Sequence, residues 1–319
     1  MTRHRTAQRA RARGITLGRF PTGPLNAITD VAGVLIGHIT LIEGDRTRTG
    51  ATAILPHSGN LWRERVPAAL AVLNGFGKFA GSTQIDELGE LETPVLLTNT
   101  LATGRAIEAI IAHTLAQHGN ERVVSVNAVV GETNDSRLND IRAARPTVAE
   151  MREALICARG GAVAEGGVGA GTGTVAFGLK GGIGTASRCV DDLGMLGVLV
   201  QTNYGGSLRI DGKPMPPQDA RADVDGSIVI VIATDAPLSS RNLGRLAERA
   251  FAGLARTGSA LSNGSGDYAL AFCTTKGLRR GPDGAVEPTL TVENAQISPL
   301  FEAVIEATEE AILNSMTMA

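Results

Sequence analysis

The sequence predicts a layered α/β fold, with sheet inside and helices outside. Three observations carry this expectation. Short runs rich in Val, Ile and Ala recur along the chain, bounded by Gly, Asn or Asp. The runs are nearly continuous in apolar character, as in strands buried on both faces. Between them lie segments whose apolar residues fall on one helical stripe, as in helices that cover something. Composition leaves two layouts open, a doubly wound sheet and a four-layer αββα sandwich.

The expected strands are residues 69–73, 95–97, 123–130, 196–201, 228–233 and 269–273. A helix is expected over 103–118, with Ile107, Ile110, Ile111, Thr114 and Leu115 on one face. A second, over 239–256, aligns Leu243, Leu246, Ala247, Ala250 and Leu254, with Ser239 or Ser240 as its cap. A third, over 298–314, opens on Ser-Pro, read as a cap followed by proline at the first helical position. Its stripe is Leu300, Phe301, Val304, Ile305 and Ile312. No internal repeat or long linker interrupts the 319 residues, so one domain, 1–319, is expected.

Composition narrows the function classes. Apolar residues make up 43% and charged residues 19%, the balance of a soluble globular protein. Aromatics are only 3%, so the core must be built from Ala, Val, Ile and Leu. Forty glycines point to tight turns and close backbone contacts. A net charge of −2 gives no nucleic-acid footprint. The one dense basic run, residues 1–13, is expected to be a solvated, frayed terminus. It lacks the apolar stretch of a signal peptide, and no run approaches the roughly 20 apolar residues of a membrane span. Cys157, Cys189 and Cys273 show no metal spacing and read as buried thiols of a reducing, cytoplasmic compartment.

Three chemical signals are weak. The glycine-rich stretch 166–173 breaks the G-x-G-x-x-G spacing, and Lys180 stands in no P-loop, so it reads as a turn or pocket wall. His113 and His118 are five apart, where ligands on one helix face need three or four, and read as solvated. Asp30, Glu132, Asp135 and Asp140 have no metal-ligand spacing, so neither a metal nor any other cofactor is expected.

A stronger signal is Gly226-Ser227, preceded by Asp225 and followed by a buried apolar run to Ala233. No serine sits in G-x-S-x-G, and no histidine lies near in sequence to activate Ser227. A free α-amino group, with a pKa of roughly 8, can serve as base instead. Cleavage at Gly226–Ser227 would create that amine on the nucleophile's own residue, and glycine leaves the scissile bond unobstructed. Another Gly-Ser opens a second apolar run, with Ser265 and Asp267 at i and i+2, on one side of an extended segment. If the two strands are neighbours, this hydroxyl and carboxylate would lie near Ser227. Asn203 ends the 196–201 run before Gly205-Gly206, and could aim its amide at a developing oxyanion. Each feature alone is also an ordinary turn.

Taken in order, these segments give a resemblance. They are Ile28 to His38 (ITDVAGVLIGH), Leu73 to Gly77 (LNGFG), Leu97 to Leu101 (LTNTL), Gly131 to Asp135 (GETND) with Leu138 to Ile141 (LNDI), and Lys180 to Thr185 (KGGIGT). Residues 201–206, 226–237 and 263–272 continue the series. Over about residues 14–314 the chain resembles the L-aminopeptidase D-Ala-esterase/amidase family, which includes the β-aminopeptidases. The resemblance implies a four-layer αββα sandwich like that of N-terminal nucleophile hydrolases, with different connectivity. It implies self-cleavage into 1–226 and 227–319, with Ser227 as nucleophile, Asn203 at the oxyanion, and Ser265 and Asp267 as helpers. It also implies tetramers of αβ units. Two positions depart from the pattern: Asp267 stands where the family has glutamate, and the family's tyrosine near 132–140 is absent, the only tyrosines being Tyr204 and Tyr268. Either Asn134 or Arg137 takes that tyrosine's place toward substrate, or its function is absent from this chain.

The expectation is therefore a self-processing serine aminopeptidase or amidase acting on small peptides, amides or esters with a free amino terminus. The alternatives are an amidohydrolase for a non-peptide small amide and an uncleaved, inactive binding homologue. No nucleic-acid or membrane partner is expected.

Overall fold

The computed structural model describes residues 7–216, 226–282, 284 and 290–319. Residues 1–6 of the basic run and Asp225 of the Asp-Gly pair lie outside the described residues. Along the chain the strands are β1 (Leu35–Glu43), β2 (Thr47–Leu55), β3 (Val66–Gly75), β4 (Phe79–Ala80), β5 (Glu90–Leu91), β6 (Val95–Asn99) and β7 (Val129–Thr133). Then come β8 (Val175–Ala176), β9 (Leu179–Lys180), β10 (Gly182–Val190), β11 (Gly194–Asn203), β12 (Arg209–Ile210), β13 (Lys213–Pro214), β14 (Ser227–Thr234) and β15 (Gly266–Cys273). The α-helices are α1 (Ser82–Leu88), α2 (Thr103–Leu115), α3 (Val148–Ile156), α4 (Ser240–Arg256) and α5 (Ser298–Thr317).

Two sheets face each other. One has the order β1-β2-β6-β7-β4, the other β10-β11-β14-β15-β3-β5, and β8-β9 and β12-β13 form short ribbons. Between the sheets, Ile54, Leu97 and Val129 pack with Leu199, Val229, Val231, Leu270 and Phe272. On the outer face of the six-stranded sheet, Ile228, Ile230 and Ile232 of β14 meet Leu243 and Leu246 of α4 and Leu300 and Val304 of α5. On the outer face of the other sheet, Ala53, Leu96 and Val130 meet Ala106 and Ile110 of α2 and Met151 and Leu155 of α3. The fold is a four-layer αββα sandwich. The continuous run Ser227–Thr234 now has its reason: alternate side chains serve two different cores, so neither face can be polar.

The parallel pairs β6–β7 and β14–β15 are each joined through a covering helix, α2 and α4. A parallel pair needs such a crossover, so each strand-helix-strand unit wraps one side of the sandwich. Ser239 caps α4, its side chain accepting from the Asn242 N–H, and all five residues of the expected stripe are buried.

Several expectations fail locally. Of the run 123–130 only Val129 and Val130 join a strand, and Val124 is fully exposed; apolar content without a partner strand does not make sheet. The 103–118 helix stops at Leu115, which is exposed, and Ala106, Ala109 and Ile110 face the core. Ser298 does not cap α5: Ile297 holds the cap position and no side-chain cap bond forms, although Pro299 sits in the first turn. Of the cysteines only Cys273 is buried; Cys157 is exposed and Cys189 intermediate. His118 is exposed, but His113 is half-buried, which holds its pKa below the ordinary value, and hydrogen-bonds Gln117.

The basic arm is the largest correction. Its described part is docked rather than frayed. The Arg9 guanidinium donates to the carbonyls of Leu25, Asn26 and Thr185 and pairs with Glu165. The Ala10 N–H donates to Asn314 Oδ1 at 2.9 Å, and Arg11 pairs with buried Glu310. Glu310 and Glu306 of α5 also flank the fully buried Arg188 of β10, at 2.8 and 3.1 Å. Burial pushes the Glu310 carboxyl up, but Arg11, Arg188 and Asn26 together hold it below its ordinary value. The arginines of the arm thus satisfy carboxylates that a buried helix could not otherwise hold.

Candidate active site

The site forms where three central strands of the six-stranded sheet reach one end. In the ladder Asn203 of β11 lies opposite Ser227, the first residue of β14, and Ser227 lies beside Gly266 of β15. The two Gly-Ser strands of the sequence are therefore neighbours, and run parallel. Ser227 is 8% exposed and Asn203 7%, while Asp267 is completely buried.

The Gly266 N–H is shared. It donates to Ser227 Oγ at 3.2 Å and to the carbonyl oxygen of Gly226 at 3.1 Å. It therefore polarises the carbonyl of the Gly226–Ser227 peptide beside the hydroxyl that could attack it. Glycine is required at 226, since a Cβ there would fall 2.1 Å from the Asn203 carbonyl oxygen and 2.5 Å from Tyr204 Cα.

Ser265 Oγ donates to Asp267 Oδ1 at 2.8 Å. The one-methylene-shorter acid thus reaches its serine, which the i, i+2 spacing of an extended strand allows. Burial pushes the Asp267 carboxyl up to about 6, opposed by the bond from Ser265, and among the described residues Oδ2 has no hydrogen-bond partner. Among the described residues no direct hydrogen bond joins Ser265 to Ser227; Gly266 stands between them.

The Asn203 amide is held at both ends. Oδ1 accepts from the Val175 N–H at 3.0 Å, and Nδ2 donates to the Asn134 carbonyl at 2.9 Å, leaving one N–H. Val175 follows the glycine-rich stretch, which is a buried turn and neither a phosphate cradle nor a wall of the site. Lys180 Nζ pins it, donating to the carbonyls of Gly171, Thr174 and Gly181. Burial lowers the Lys180 ammonium to about 8.

A cavity of about 300 Å³ opens over Ser227. Asn203, Gly226, Asn134, Ser136 and Arg137 line it, so both expected substitutes for the tyrosine are at the site. So do Phe76, Lys78, Thr100 and Glu132, which the sequence reading did not place there. Glu132 is 2% exposed, and accepts from the Lys78 N–H at 2.8 Å and from the Thr100 hydroxyl. Lys78 Nζ is 4.0 Å away on a half-exposed side chain, a weak partner. The signal available in the sequence was a lone acid inside the apolar strand run at 129–133. The other acids lie apart: Asp30 binds the Leu25 and Ala27 N–H groups, Asp140 pairs with Arg46, and Asp135, pushed up to about 6 by burial, binds Asn139. Among the described residues no group of three or more His, Cys, Asp or Glu side chains is placed to hold a metal ion, and no helix is long and apolar enough to cross a membrane.

A serine opening a buried central strand of an αββα sandwich, with a buried serine–acid pair on the next strand, defines a hydrolase of the N-terminal nucleophile type. Comparison with known proteins agrees. The match to peptidase family S58 spans residues 26–319. The β-peptidyl aminopeptidase BapA of Sphingosinicella xenopeptidilytica is 39% identical over 97% of this chain and 84% of its own. The crystal structure of the PH0078 protein from Pyrococcus horikoshii OT3 superposes with a TM-score of 0.92 at 45% identity, over 98% of this chain and 92% of that one. The L-aminopeptidase D-Ala-esterase/amidase of Ochrobactrum anthropi, described as a prototype for the serine aminopeptidases and a new variant among the Ntn hydrolase fold, superposes at 0.89 with 36% identity, over 98% and 91%. The chain belongs to peptidase family S58, and is an aminopeptidase-type hydrolase.

Proposed function

We propose that the chain cuts itself at Gly226–Ser227, and that the mature protein, 1–226 with 227–319, removes N-terminal residues from small peptides, amides or esters. One observation carries this reading: the Gly266 N–H binds both the Gly226 carbonyl oxygen and Ser227 Oγ. In processing, Ser227 Oγ attacks the Gly226 carbonyl carbon and its proton passes to the departing nitrogen, so that the peptide C–N bond breaks to free the Ser227 amine and leave an ester; water then cleaves the ester, releasing the Gly226 carboxylate and restoring the Ser227 hydroxyl. Gly266 N–H and the spare Asn203 N–H are the donors available to the oxyanion.

In turnover the free amine of Ser227 takes the proton from Oγ as Oγ attacks the substrate carbonyl. The leaving amine receives that proton, and water then releases the acid. Ser265 and Asp267 steady the ammonium formed on Ser227. Glu132, a buried carboxylate in the same cavity, receives the substrate's ammonium. The name of the Sphingosinicella relative supports extending the substrates to β-amino acyl groups. We further propose tetramers of αβ units, as the family resemblance implies, and a cytoplasmic location, a reading supported by three unpaired cysteines.

Intact mass and a denaturing gel test the reading. The wild-type protein should give two unequal fragments, the smaller beginning at Ser227, and Ser227→Ala a single 33.0 kDa chain without activity. A fragment beginning at Ser265 would move the nucleophile there, and an uncut wild-type chain would favour the inactive binding homologue.

A further inference from the structure

The site cavity carries charge of both signs. Glu132 is buried on its wall, while Arg137 is exposed at its lining and, among the described residues, has no acidic side chain or carbonyl as partner. The arginines of the docked amino-terminal arm, and those of the ion pairs at Glu43, Glu64 and Asp140, are all engaged. Lys78, the other cation of the cavity, already faces Glu132. Arg137 is thus the unpaired cation of this site among the described residues.

Its backbone is not free to wander. Arg137 sits in a turn whose Leu138 and Asn139 N–H groups both donate to the Asp135 carbonyl. Asn139 Nδ2 bonds Asp135 Oδ1, and the Ser136 N–H bonds Asn134 Oδ1. The same turn is tied to the reacting end of the site, because the Asn134 carbonyl accepts from Asn203 Nδ2. A guanidinium carried on a fixed turn beside a nucleophile and an oxyanion donor is suited to a carboxylate, which it can meet with two parallel N–H···O bonds.

Resting on the aminopeptidase reading, we infer that Arg137 receives the free carboxylate of the leaving residue, so that the preferred substrates are dipeptides carrying both termini. The ammonium end goes to Glu132 and the carboxylate end to Arg137. A volume of about 300 Å³ is at the small end of ligand cavities and suits a dipeptide better than a longer chain. A longer peptide would place an uncharged amide where Arg137 waits, and leave the guanidinium unanswered.

The experiment compares kcat/KM for one dipeptide and for the same dipeptide amidated at its C-terminus. The wild-type enzyme should favour the free acid by about tenfold or more, the scale of a charge-assisted hydrogen bond. That ratio should shrink with added salt, because the guanidinium is exposed. In Arg137→Met the ratio should fall to about one, in Arg137→Lys part of it should return, and in Arg137→Glu it should invert. A wild-type ratio near one, or a ratio that survives in Arg137→Met, overturns the assignment while leaving the aminopeptidase reading intact. A wild-type enzyme that cleaves neither substrate, nor an aminoacyl anilide, overturns both.

Discussion

At the scale of single residues, the Ser265–Asp267 pair sets the sharpest expectations. Its geometry is closed, at 2.8 Å, while its acid is fully buried with one oxygen unbonded. Two groups acting as a unit lose function together, so Asp267→Asn and Ser265→Ala should each lower kcat strongly, and the double variant much less than the product. Additive losses would separate their roles. The same burial has a consequence for stability. The folded carboxyl titrates near 6, above its unfolded value, so between about pH 4 and 6 the folded state holds a proton that the unfolded state has lost. Stability should therefore fall as pH rises through that window, and Asp267→Asn should remove this part of the slope. Thermal melts of the Ser227→Ala chain, with and without Asp267→Asn, measure it without interference from turnover.

At the scale of elements, α5 shows what sequence patterns reveal and what they hide. Its stripe and its proline were legible, because apolar spacing and backbone chemistry are local. The burial of Glu306 and Glu310 was not, because it depends on Arg188 and, for Glu310, on Arg11, both remote in sequence. Strands β14, β15 and β11 were legible as apolar runs. β1, β2 and β10 were missed, since their glycines, threonines, His38 and Arg188 break the apolar pattern. The site shows the same division. Ser227, Asn203, Ser265 and Asp267 stand beside glycines at strand ends and could be singled out, whereas the place of Glu132 in the cavity required the pairing of β6 with β7. Arg188→Met tests the element most directly. It leaves two buried carboxylates without their shared cation, and should cost about 3–5 kcal/mol in urea unfolding. Replacing Glu306 and Glu310 by Gln in the same chain should recover part of that loss.

At the scale of the whole molecule, the position of the proposed cut matters more than its chemistry. β14, β15, α4 and α5 come from 227–319, yet β14 and β15 lie between β11 and β3, which come from 1–226. The strand pair of the second piece is inserted into the sheet of the first, and neither piece owns a complete core. Before the cut, refolding is a private matter for one chain; afterwards it is a meeting between two. A tether that held the pieces at high effective concentration would be gone. After denaturation the Ser227→Ala precursor should refold at a rate independent of protein concentration, whereas the processed enzyme should refold more slowly as it is diluted. The molecule would then carry its own history: one passage through the folded state that creates the amine, and a second passage, if it is ever unfolded, that depends on finding a lost half.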